Sequence, residues 1–146
     1  MAYSYANKTG KDEAKAVGVA LPISYKHAVE VCNFIRGKRI EQAKRLLDEV
    51  VAMKRAVPYR IYNLEMAHNR AVGPGRFPIK TCKHLLEIIE SAQANAQHKG
   101  LNVANLVVRH LVPQKAGRTM RFGRQRREMK RCHVEVVLGE RKEASR

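Results

Sequence analysis

A chain of 146 residues with 29 Lys and Arg against 13 Asp and Glu carries a formal charge of +16 and a pI near 10.3. That excess speaks of anionic partners rather than of fold. The length suits one domain spanning 1–146 with a modest core and strains a large enzyme cleft, while 5% aromatics and no Trp argue against stacking as the main binding mode.

No apolar run approaches the roughly 20 residues of a membrane-spanning helix. The N-terminus lacks a hydrophobic leader region, so neither a membrane partner nor export is expected. Cys32, Cys82 and Cys132 are odd in number and show no C-x-x-C spacing. They fit a reducing cytoplasm better than a disulfide framework or a zinc site.

Residues 1 to about 21 are polar, small and mixed in charge and read as an arm, with "SYAN" and "AVGVAL" as short strand candidates able to pair with a sheet edge. Ser24 then stands where a first helix needs its N-cap. Ala28, Val31, Cys32 and Ile35 form one apolar stripe on it, and Gly37 suits the position just past its end. Arg36, Lys38 and Arg39 crowd that C-terminus, where the helix dipole favours cations. A second helix follows over "RIEQAKRLLDEVVAMKR", with Ala43, Leu47 and Val50 on one face beside Leu46 and Val51. Glu41–Arg45 and Lys44–Asp48 are spaced as i,i+4 pairs on its wet side. The short link predicts a helical hairpin.

Residues 54–78 contain Pro58 and the cluster Gly73-Pro74-Gly75, which interrupt regular structure. The stretch is long for a loop in so small a domain, a mark of function or of an outside partner. A short helix is possible around "IYNLEMAHN". "GPGRFP" lacks the G-K-[ST] ending of a P-loop and reads as a rigid loop presenting Arg76 to a phosphate. The strongest helix prediction comes next, with Pro78 at its first position and Gly100 at its C-cap. Cys82, Leu85, Leu86, Ile89, Ala92 and Ala96 form its apolar stripe.

Two strands close the chain. In "NLVVRHLV", Leu106, Val108 and Val112 point one way, with His110 interrupting the row. In "CHVEVVL", Cys132, Val134, Val136 and Leu138 alternate with His133, Glu135 and Val137. Between them lies "KAGRTMRFGRQRREMKR", with eight cations, Lys115, Arg118, Arg121, Arg124, Arg126, Arg127, Lys130 and Arg131, against Glu128 alone, a net of +7. The pattern predicts a basic hairpin over about 109–133. A fully paired arm from Leu101 to Leu138 would reach roughly 60 Å at about 3.3 Å per residue.

Arg and Lys on such a ribbon suit phosphate oxygens, Arg bidentately, and Gly117 and Gly123 permit a sharp turn or close approach. The plain alternative is a solvated charged loop. An architectural DNA-binding arm, with Met120 or Phe122 as a wedge, stays open from the residues alone. So does a small RNA-acting enzyme using His110 or His133. However, no Ser, Cys, His or carboxylate arrangement builds an active site, so no catalytic residue, metal or cofactor is expected. Cys132 reads as core and His133 as a surface or RNA-facing residue, because neighbours on a strand face opposite ways.

Three stretches, "ISYKHAVEVCNFIRGK", "GPGRFPIKTCKHLLEIIESAQANAQHKGL" and the basic hairpin leading into "CHVEVVL", make the chain resemble a known family over nearly its whole length. The family is the universal large-subunit ribosomal protein numbered twenty-two, in its archaeal and eukaryotic form, to which the insertion at 54–78 also conforms. The resemblance implies an α+β fold of three helices on a three-stranded antiparallel sheet with a long protruding β-hairpin. It implies a non-enzymatic structural role in translation: binding large-subunit rRNA beside neighbouring ribosomal proteins and aiding assembly. The hairpin would help line the polypeptide exit tunnel, where its tip meets the nascent polypeptide. Lys26, Arg36, Lys38, Arg39, Arg76, Lys115, Arg118, Arg121, Arg124, Arg126, Arg127, Lys130 and Arg131 are then the expected rRNA contacts. Met120, Arg121, Phe122, Gly123 and Arg124 are the expected tip. Relatives often carry Arg-Ala-(His or Met)-Gly-Arg there; Arg121-Phe122-Gly123-Arg124 is one residue shorter.

Overall fold

The apolar stripes of three helices and the alternation of three strands converge on one core. A computed structural model of the chain describes residues 10, 12–124 and 126–140. The strand candidate "SYAN" lies outside the described residues; "AVGVAL" is the larger part of β1 (Glu13–Leu21). The helices are α1 (Tyr25–Ile35), α2 (Ile40–Val51) and α3 (Ile79–His98). Small strands β2 (Val57–Pro58), β3 (His68–Asn69) and β4 (Gly73–Arg76) lie between α2 and α3. The chain ends in β5 (Leu106–Lys115) and β6 (Cys132–Glu140). The main sheet is antiparallel in the order β1-β6-β5. On one of its faces α3 lies against β1 and β6 and α1 against β5, while α2 packs on α3.

Val31, Cys32, Ile35, Leu47, Leu85, Ile89, Leu106, Val134 and Leu138 are all fully inaccessible to solvent. They join sequence-distant stripes into the burial that drives folding. Ala92 and Ala96 on α3 face the small Ala14 and Ala16 of β1 within this core, so helix and sheet approach closely. Leu86, expected in the same stripe, is only partly buried, and Ile88 takes a core place instead.

The helix ends differ in detail from expectation. Ser24 occupies the N-cap of α1, but its side chain makes no capping bond. Pro78 is the N-cap of α3 rather than its first helical residue. Gly100 sits one place beyond the C-cap Lys99, at φ +75°. Its N–H donates to Gln97 O and that of Leu101 to Ala96 O, the paired bonds of a Schellman ending. The second helix stops at Val51, short of the predicted Arg55, because Met53 turns left-handed at φ +55°. The anticipated pairs on α2 also rearrange. Arg45 meets Glu49 at 3.6 Å, and Lys44 reaches across to Glu90 of α3 at 3.8 Å.

The strand β5 departs from simple alternation. Val108 pairs with Leu138 but His110 pairs with Val137, leaving Arg109 as the extra residue of a bulge. The slip turns Leu111, not the predicted Val112, into the core, where it is fully buried. Arg109 folds over the sheet to Glu13 Oε1 at 2.9 Å and donates to Glu140 O. It lies so close to Gly139 that a Cβ there would meet its Cδ at 2.6 Å. Both sheet edges are covered. Gly37 and Lys38 exchange backbone bonds with Val108 on one side, and Asn95 of α3 and its C-cap Lys99 donate to Lys15 O and Glu13 O on the other.

The 54–78 insertion is more ordered than its composition suggests. Its strands form a second sheet in the order β2-β4-β3, in which a Cβ on Gly75 would stand 3.1 Å from Val57 O. The helix expected near residues 61–69 does not form. Glu30 of α1, only 1% exposed, accepts the N–H groups of Arg60, Ile61 and Tyr62 at 3.0, 2.9 and 2.7 Å. Asn63 then turns left-handed at φ +54°, which stops a helical turn from propagating beyond these donors. Glu30→Ala is therefore expected to cost about 2–4 kcal/mol, since it strips the acceptor from three donors. It should also speed amide exchange at residues 60–62; unchanged protection there would contradict the clamp.

Candidate nucleic-acid interface

The paired part of the hairpin runs from Leu106↔Glu140 to Lys115↔Cys132, and nearly all of it lies beside β1 in the body sheet. The part that projects is therefore residues 116–131. This corrects the fully paired ribbon of roughly 60 Å: half of that stretch reaches only about 26 Å at about 3.3 Å per residue. Beyond the ladder the two limbs are held by Ala116 N–H to Arg131 O, Met129 N–H to Thr119 O and Arg121 N–H to Arg127 O. A Met120↔Glu128 bridge and an Arg118–Glu128 ion pair of 2.9 Å tie them further.

The turn follows Arg121. Gly123 takes φ +85°, and Phe122 is 98% and Met120 59% exposed. Phe122, Gly123 and Arg124 thus lie within the turn that the Arg121 N–H to Arg127 O bond closes. A phenyl ring so exposed has no intramolecular packing to explain it.

Six of the expected contact residues converge at the root of the arm. Lys26 of α1, Arg76 of β4, Lys115 of β5 and Arg118, Lys130 and Arg131 of the arm line one open concavity of about 560 Å³. Its carboxylate, Glu128, is engaged by Arg118. The other ribbon cations, Arg121, Arg124, Arg126 and Arg127, stand exposed on the arm. Arg36, Lys38 and Arg39 belong to a different surface beside β5. The Arg36 guanidinium donates to Leu111 O at 2.7 Å, a structural tie. Arg36 and Lys38 line a recess with Arg60, and Arg39 bridges to Val107.

Three rings in the concavity were not singled out by sequence. Tyr25 and Tyr62 meet edge to face with centroids 6.3 Å apart. Lys26 Nζ lies 5.7 Å from the Tyr62 centroid and Lys115 Nζ 5.6 Å from that of Tyr25, within cation–π range. His27 makes a 2.9 Å hydrogen bond with the Tyr59 hydroxyl. Burial, then the nearby Arg76 and Lys130, lower the His27 pKa and favour the neutral ring. Burial pushes the Tyr59 phenol up to about 12. The sequence signal was present only as "YK" and "IYN", each unremarkable until Glu30 brings residue 62 beside residue 25.

The histidines do not assemble. His110 stands opposite Val137 and His133 opposite Gln114, several rungs apart. His133, expected to face outward, is half-buried and accepts the N–H of Ala20 at 3.0 Å, steadying the irregular end of β1. The three thiols are buried and free, and burial raises all of them, Cys82 to about 12 and Cys132 to about 11. Such thiols stay protonated and inert. Among the described residues no group of His, Cys, Asp and Glu is placed to hold a metal ion, and no helix is long and apolar enough to cross a membrane.

The family model of ribosomal protein L22p/L17e matches residues 16–139, from β1 through the arm to β6. The chain belongs to the ribosomal protein L22p/L17e family. Relatives agree. The large ribosomal subunit protein uL22 of Archaeoglobus fulgidus is 46% identical over 116 residues, covering 77% of this chain and 75% of the relative. That of Methanothrix thermoacetophila is 48% identical over 111 residues, covering 74% and 72%. That of Staphylothermus marinus is 36% identical over 151 residues, covering 94% and 96%. Among its described residues this L22p/L17e chain has the three α-helices and the three-stranded main sheet expected of it.

Proposed function

We propose that this L22p/L17e protein is a structural constituent of the large ribosomal subunit, binding large-subunit rRNA at the root of its arm and along the arm's length. The observation that carries the reading is the meeting of Lys26, Arg76, Lys115, Arg118, Lys130 and Arg131 in one concavity, in a chain whose relatives are large-subunit proteins. Cations held at fixed separations on a rigid body match phosphates held at fixed separations on folded RNA. Neutralisation supplies affinity and makes it salt-dependent. Shape and backbone contacts, more than base edges in a deep groove, supply specificity. The arm itself has few packed contacts, so its order on RNA comes from phosphates that separate its like charges. In this reading the tip extends along the polypeptide exit tunnel, and Phe122 offers an apolar surface to tunnel lining or nascent chain.

The test is binding of the purified protein to protein-free large-subunit rRNA across a salt series. Replacing Lys26, Arg76 and Lys130 together by Ala removes three phosphate contacts. At roughly 0.7 in log–log slope per contact, the salt dependence should flatten by about 2. An unchanged slope would place the phosphates elsewhere.

A further inference from the structure

The concavity at the arm's root has a feature that phosphate neutralisation does not require. Two tyrosine rings stand in it, half-buried, supplied by elements 37 residues apart in sequence, Tyr25 opening α1 and Tyr62 in the insertion. They are held in place by structure, not by each other alone. Glu30 fixes the Tyr62 backbone with a 2.7 Å bond, and Tyr25 belongs to the first turn of a helix. Each ring has an exposed lysine ammonium over it, Lys26 over Tyr62 and Lys115 over Tyr25, on a flexible stem that an incoming base can displace towards its phosphate. A surface that needed only positive charge could be built from lysine and arginine, as the outer arm is.

From this juxtaposition we infer that the concavity is a nucleotide pocket, which takes a base turned out of the rRNA stack onto the face of one ring of the Tyr25/Tyr62 pair, the other ring bracing it edge-on. This rests on the rRNA-binding reading above and specifies it. The chemistry is complementary part for part. An unstacked base presents a flat π face, which aromatic side chains receive regardless of base identity. Its phosphate carries the charge that Lys26, Lys115 and Arg76 await on the rim. The volume of about 560 Å³ falls within the range of about 300–1,000 Å³ common for small-ligand sites. The Tyr25 phenol, its pKa raised by burial, stays neutral and adds no charge to repel a phosphate. An acidic peptide would satisfy the cations too, but would leave the π faces without a matching partner.

The experiment compares the full-length protein with Tyr62→Leu, Tyr25→Leu and Tyr62→Phe, binding protein-free large-subunit rRNA over a salt series. Thermal unfolding confirms that each variant is folded. Either Leu variant should lose roughly tenfold to hundredfold in affinity, the size of one base–aromatic stack. Its salt slope should match the wild type, because every cation remains. Tyr62→Phe keeps the ring and should bind within about twofold of the wild type. Leu variants that bind as tightly as the wild type overturn the pocket and leave the rRNA reading standing. Leu variants that lose affinity with a flattened slope also overturn it, since the rings would then serve only to position lysines. A wild type that binds this RNA without salt dependence defeats the rRNA reading itself, and the pocket with it.

Discussion

Ile89→Asp should leave no cooperatively folded body, seen as loss of the thermal transition in circular dichroism. Ile89 is fully buried at the middle of α3, in the cluster that includes Leu85, Leu47 and Leu138. Replacing it forfeits about 1.5–3 kcal/mol of apolar burial and puts a carboxyl where no water reaches. Desolvating that group costs several kcal/mol more, whether it ionises or shifts its pKa to stay neutral. Set against a total stability of about 5–15 kcal/mol, the change removes most or all of it. Leu86→Asp should be far milder, because Leu86 sits at the rim of the same helix and its carboxylate can turn to solvent. A stable, soluble Ile89→Asp protein would refute the core assignment; equal damage from both substitutions would mean the helix faces are misplaced.

Deleting residues 117–127 should do the reverse, sparing the fold and crippling RNA binding. The cut lies outside the ladder, which closes at Lys115↔Cys132. It joins Ala116 to Glu128, leaving five residues to connect β5 and β6, a length hairpins commonly use. No residue of the buried cluster is removed. Yet Arg118, Arg121, Arg124, Arg126 and Arg127 all go. At roughly 0.7 in log–log slope per phosphate, the salt dependence falls by about 3.5 if each makes one contact, and affinity drops on the order of a hundredfold or more. Unchanged thermal unfolding beside weakened rRNA binding is the expected pair of results. Lost cooperativity would show that the arm is part of the core, and unaltered affinity would show that its charge has no phosphate partner.

The two outcomes divide the molecule as its sequence does. The helices were legible because each repeats apolar residues at helical spacing over two turns or more, a pattern with one consistent reading. The outer arm was legible for the opposite reason: its charge has no acids among it except Glu128 and no alternation to bury. The strand β5 was half legible. Alternation placed Leu106 and Val108 correctly, but a bulge at Arg109 exchanged Val112 for Leu111, and only pairing with the neighbouring strand decides where an extra residue is accommodated.

The insertion was the least legible. Its order depends on Glu30, a carboxylate embedded in the apolar run "AVEVC" of another element, whose three backbone donors lie about 30 residues away. Nothing local signals such a bond. The same clamp bears on the candidate site, since it holds the Tyr62 backbone where its ring meets Tyr25, in the hollow that Arg76, Lys26 and the arm's root also line.

The sequence alone therefore determined the charge, the helical stripes, the two long strands and the basic arm between them, because each is a periodic or compositional property carried by neighbouring residues. The tertiary structure alone decided how far the arm projects, which β5 residues face inward, and that a pair of tyrosines joins the cations. Those depend on strand register and on a single buried carboxylate, long-range contacts whose energies no local stretch of chain contains.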